Sequence, residues 1–184
     1  MSSPLSKLSK SKILLLWKHW DTVEKKIKEE MIWLERNIDT FLDKEITAPK
    51  GCRECFLRRI AILVVSGKVK ATEITKSPLL KSFWINKKVK KNNEPKKRHG
   101  SDWHQKTMKR IENHFLCLRY EIIREPDLNQ GRADLGVYKK GKQDLLIEVG
   151  TISLFKFWRN LETMKRFTYL IVPDDNKLIE FRKN

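Results

Sequence analysis

Apolar residues recur at Ile13, Leu16, Trp20, Val23, Ile27, Met31, Leu34, Ile38 and Phe41, in steps of three and four with one slip. That is the period of one helix face, so the spacing predicts a long amphipathic helix. A helix of about thirty residues exceeds the ordinary globular length, and its stripe suits either a second copy of the chain or the rest of the same chain. Pro49 and Gly51 end it, and a second helix is expected from Cys52 to Val65. Ala71 to Val89 reads as a short helix, a turn at Ser77-Pro78 and a basic helix, the order of a helix-turn-helix. A helical subdomain with no DNA role has the same pattern.

Past Gly100 the period changes. Ser101 is a candidate N-cap for a helix through Leu116, with Trp103, Met108, Ile111 and Phe115 inward. Strands are expected at Cys117 to Arg124, Arg132 to Tyr138 and Gln143 to Val149. Ser153 caps a helix to Arg166, and Thr168 to Val172 and Leu178 to Phe181 read as further strands. The chain therefore divides into a helical module, 1–95, for dimerisation or DNA binding, and an α/β core, 96–184.

Two carboxylates disturb this apolar pattern. Leu145 to Val149 lacks alternation, as in a strand covered on both faces, yet contains Glu148. Asp134 poses the same problem one strand earlier. A buried carboxylate must be paired, protonated or bound to a cation. An odd turn, such as one of three residues with Gly141 left-handed, sets Asp134 and Glu148 on one face of a hairpin, whereas a two- or four-residue turn without a bulge sets them on opposite faces. Together they would share a proton or hold a hard cation, Mg²⁺ or Mn²⁺. The alternative is two ion pairs, Asp134 with Arg132 or Lys139 and Glu148 with a helix lysine.

Charge narrows the partner. Lysine and arginine outnumber acids 40 to 23, a formal net charge of +17, which suits a polyanion and most often nucleic acid. Lys87, Lys88, Lys90, Lys91, Lys96, Lys97 and Arg98 form a basic arm before the core, and Arg132 and Lys139 extend the expected phosphate track. The three cysteines argue against a disulfide scaffold and for a reducing, cytoplasmic location. No signal peptide or membrane span is read, so no membrane is expected. Cys52 and Cys55 have the spacing of half a zinc site, which His99, His104 or a second subunit would have to complete, but packed or incidental cysteines are the commoner case. Cys117 is expected in the core, and His114 near Glu112.

Helix, three strands, helix, strand, with Asp134 opening the second strand and Glu148-Val149 on the third, resembles the PD-(D/E)XK nuclease superfamily. Within it, the layout is similar to archaeal Holliday-junction resolvases and small archaeal-virus nucleases. The resemblance covers about residues 101 to 175 and rests on a short motif. It implies a restriction-endonuclease-like fold and a magnesium-dependent DNA endonuclease, for which a homodimer would suit branched DNA, in the host cytoplasm if viral. Asp134, Glu148 and the Val149 carbonyl would be metal ligands, and Glu112 would be the acid of the preceding helix. Pro126-Asp127 also spells the motif, but in a turn. The family's lysine, two residues after the glutamate, is replaced by Gly150. Lys156, in the first turn of the next helix, would take its place, with Lys165 a further candidate. The alternative function is a non-catalytic DNA-binding regulator that uses the helix-turn-helix and a decayed nuclease fold.

Overall fold

The computed structural model describes residues 10–38, 53–84 and 100–183. Their order is α1 (Lys10–Ile38), α2 (Arg53–Val65), β1 (Lys70–Ile74), α3 (Pro78–Trp84), α4 (Asp102–Cys117), β2 (Glu121–Arg124), β3 (Leu135–Tyr138), β4 (Asp144–Val149), α5 (Leu154–Thr163), β5 (Phe167–Val172) and β6 (Leu178–Lys183). The protein is mixed α/β: six strands form one sheet in the order β1-β6-β5-β4-β3-β2. Only β4 and β5 run parallel, with α5 as their crossover; every other neighbour is antiparallel.

Helices cover both faces, which is why β4 and β5 carry apolar residues at successive positions without alternation. On one face, α1, α2 and α5 meet Leu146, Phe167, Tyr169, Ile171 and Phe181. On the other, α3 and α4 meet Leu135, Val137, Ile147, Val149, Leu170 and Val172. Phe157 anchors the first layer, its ring 4.7 Å from Phe181 and 5.5 Å from Tyr169. No helix among the described residues is long and apolar enough to cross a membrane.

The stripe of α1 packs only in part on the rest of the described chain. Ile27 and Leu34 are buried in the α1–α2 packing, where Glu24 also holds Arg58 through two bonds of 2.6 and 2.7 Å. Trp20 and Val23, earlier in the same stripe, are exposed.

The first half of the chain is not wholly helical. Lys70–Ile74, expected as the first helix of a helix-turn-helix, is strand β1, paired with β6 from the far end of the chain. The sheet thus draws a strand from ahead of residue 95. Helix α3 remains, but with no helix before it in that motif. Cys117 is also corrected: α4 continues through it, the strand begins at Glu121, and the thiol is exposed rather than in the core.

Truncating Phe157 should expose the dependence of the sheet on α5. Phe157→Ala is expected to lower the unfolding free energy in urea by about 3–5 kcal/mol. Trp20→Ala should change that of the monomer by less than about 0.5 kcal/mol, as for an exposed side chain.

A candidate metal centre at the end of strands β3 and β4

The hairpin turn decides whether the two acids meet. Leu135 stands opposite Ile147, Gly136 opposite Leu146 and Val137 opposite Leu145, which leaves the odd run 138–144 between them. Gly141 occupies its centre at φ +77°, a left-handed position that glycine adopts without strain. Lys142 N–H closes the turn on the Lys139 carbonyl at 2.9 Å. The expected parity therefore holds, and Asp134 falls across from Glu148. The Asp134 N–H donates to the Ile147 carbonyl at 3.1 Å, and its Oδ2 accepts from the Val149 N–H at 2.7 Å.

Both carboxylates are buried, Asp134 at 6% and Glu148 at 3% exposure. Glu148 shares its face with Tyr169, whose hydroxyl donates to Glu148 Oε1 at 2.6 Å. Lys156 Nζ lies 2.5 Å from the same oxygen and also donates to the Arg132 carbonyl. The lysine reaches back because Ser153 caps α5, accepting from the Lys156 N–H at 3.3 Å, and so starts the helix beside the strand end. This is also the pairing with a helix lysine that the ion-pair alternative expected for Glu148.

Gly150 is buried at φ +84°, and its N–H donates to the Val172 carbonyl at 2.9 Å. A lysine there would sit in a left-handed backbone conformation, at a cost of about 1–2 kcal/mol. The ammonium comes from α5 instead.

Two residues of the site were not singled out for it in the sequence. His104, 2% exposed, places Nε2 3.3 Å from Asp134 Oδ2. It belongs to the inner stripe of α4 with Met108 and Ile111, a spacing that offered a signal. Tyr169 offered another, because a tyrosine inside an apolar strand must find a partner for its hydroxyl.

Other expected residues lie elsewhere. Glu112 is buried, but its carboxylate is gripped by Arg124, with Lys109 at 3.8 Å. It lies eight residues beyond His104, about 12 Å along the helix, so α4 presents His104 rather than Glu112 to Asp134. Arg132 is turned to Asp127 at 3.0 Å and Glu125 at 3.5 Å, so its guanidinium is already paired. Lys139 is at the other end of β3, donating to the Leu118 carbonyl at 3.0 Å and lying over the Tyr120 ring. Lys165 follows α5 at that same far end, and His114 packs on Phe115. Cys55 is exposed and His104 is buried beside Asp134, so the two do not form a zinc site. Cys52, His99 and Lys87 to Arg98 lie outside the described residues.

Burial pushes the Glu148 carboxyl from 4.5 up to about 7, with the Lys156 ammonium pulling it down and Asp134 pushing it up. Burial and the neighbouring Glu148 likewise hold the Tyr169 hydroxyl well above its ordinary range. Two buried carboxylates and a strand-end backbone offer the hard oxygen donors that Mg²⁺ or Mn²⁺ takes. Among the described residues no cluster of three or more His, Cys, Asp or Glu side chains is arranged for a metal, so such an ion would need the Val149 carbonyl and water as further ligands.

The raised carboxyl binds its proton more tightly in the folded chain than in the unfolded one. Its stabilising effect is full below pH 4.5 and is lost as pH rises through about 7. In EDTA, unfolding by urea should therefore show a loss of about 3 kcal/mol from this group between pH 4.5 and 8. Glu148→Gln should flatten that slope. Compared with family models, with curated proteins and with solved structures, the chain matches none.

Proposed function

We propose that the protein is a metal-dependent DNA endonuclease of the PD-(D/E)XK type, with its active site at the Asp134–Glu148 pair. The observation that carries this reading is the position of Lys156. An ammonium from the next helix lies 2.5 Å from the glutamate, where a lysine two residues after it would otherwise be expected. A net charge of +17 supplies the affinity for a polyanion.

Asp134, Glu148 and the Val149 carbonyl would hold Mg²⁺ or Mn²⁺, which when bound supplies an acidified water and neutralises phosphate charge. The chain's own groups prepare that chemistry. Tyr169 fixes Glu148 through the hydroxyl bond, and the Val149 N–H fixes Asp134, with His104 Nε2 3.3 Å away. Lys156, held between Glu148 and the Arg132 carbonyl, presents positive charge where the phosphorane would develop. Its side chain is 22% exposed, so it faces both the buried acid and the approach from solvent. The arm from Lys87 to Arg98 would track the DNA backbone. A homodimer would suit a branched substrate. The regulator reading is weaker, since the segment expected as the first helix of its helix-turn-helix is strand β1, and among the described residues only α3 of that motif is helical.

Labelled linear, nicked and four-way-junction DNA should be cut with Mg²⁺ or Mn²⁺ and left intact in EDTA. Asp134→Ala should abolish cutting and keep DNA binding. Lys156→Met should lower kcat about 10²–10³-fold with little change in KM, as for loss of one charge-stabilising group. Binding with no cutting on any substrate, whichever metal is present, would refute the proposal.

A further inference from the structure

The end of the sheet remote from Glu148 carries a second concentration of charge. A pocket of about 240 Å³ there is lined by Gly67, Lys68, Lys70, Arg182 and Lys183. Lys70 stands directly opposite Arg182 across β1 and β6. Two like charges in that cross-strand position repel and destabilise the pairing. Lys183 also lines the pocket, although its side chain alternates to the α5 face, where Nζ is anchored to the Leu161 and Glu162 carbonyls at 2.7 and 2.8 Å. Partial burial lowers the Lys183 pKa, and Lys68 and Lys165 lower it further, against the opposite pull of Glu162.

Compensation inside the chain is thin. Arg182 has Glu180 at 3.8 Å, and among the described residues neither Lys68 nor Lys70 has a carboxylate within 4.0 Å. The β3–β4 turn brings Lys139, Lys140 and Lys142 to the same end of the sheet. Cations drawn from the α2–β1 turn, β1 and β6 around one hollow are what an external anion would relieve.

We infer that the Lys68–Lys70–Arg182–Lys183 pocket is a second nucleic-acid contact, which seats backbone phosphate of DNA bound outside the cleavage centre. Through the register Arg182–Thr168–Leu145, it lies two strands and three residues from Glu148, about 14 Å between Cα atoms. That is the length of about four base pairs, so the pocket reads DNA flanking the cut or a second arm of a branched molecule. The inference rests on DNA as the partner proposed above and does not depend on cleavage.

Binding is measured in EDTA over a series of salt concentrations, on the full chain with a duplex and a four-way junction. The triple variant Lys68→Gln, Lys70→Gln, Arg182→Gln is compared with Lys18→Gln, Lys25→Gln, Lys26→Gln, which removes equal charge from exposed positions on α1. The pocket variant should bind about tenfold more weakly, with a log K against log salt slope shallower by about 1 to 2. The α1 variant should stay within about twofold of wild type. Equal losses in both variants, or none in either, would overturn the pocket. Amide shifts of Gly67 and Lys70 in the wild-type protein provide a readout free of any folding defect. They should move with DNA and hardly at all with inorganic phosphate of equal phosphate content. Movement with inorganic phosphate and not with DNA would make this a small-anion pocket and overturn the assignment. DNA bound through the pocket without any cleavage would refute only the nuclease reading.

Discussion

Glu148 lies on a strand that has neighbours on both sides and helices over both faces, where an isolated charge is costly. Much of the surrounding structure can be understood as an answer to that cost. The chain brings a hydroxyl from β5 and an ammonium from α5, both to the same oxygen of Glu148. Even so, burial outweighs the ammonium, and the carboxyl stays protonated well above the usual carboxylate range. A well-packed apolar residue would fill the position at lower cost, and keeping the acid there is what the proposed role in metal chemistry would require.

The parts of the fold that were legible in the sequence are those fixed by local geometry. The run Leu145 to Val149, apolar without alternation but for Glu148, marked a central strand, and β3 and β5 flank it. The Ser101 and Ser153 caps were readable because a hydroxyl at the helix entrance satisfies a free N–H wherever the helix goes next. Gly141 marked the turn, but whether its parity set Asp134 across from Glu148 was decided only by the β3–β4 register. Lys156 was within reach because its distance along the chain from Glu148 fits a strand end and one helical turn.

What escaped was set by contacts distant in sequence. Lys70–Ile74 contains lysine, alanine and glutamate, residues of helical preference, and becomes an edge strand because β6, more than a hundred residues later, pairs with it. Glu112 and His104 both lie on the inner face of α4, and only the docking of that helix on the sheet decides which meets Asp134. Arg132 read as a phosphate contact, but the turn that contains Asp127 folds back and pairs with it. The basic pocket combines a turn near residue 67 with the last strand, so no run of lysines in the sequence announced it.

The central claim is that the Asp134–Glu148 pair is built for a hard divalent cation. It is tested most directly by following the Glu148 side-chain carboxyl carbon by NMR from pH 4 to 9, in EDTA and in saturating Mg²⁺. The account predicts a midpoint of about 7 in EDTA and, with Mg²⁺, a midpoint driven below the ordinary carboxylate range, because a bound dication favours the ionised form. An identical titration in both solutions would contradict it, and would leave Glu148 and Lys156 as a buried structural pair.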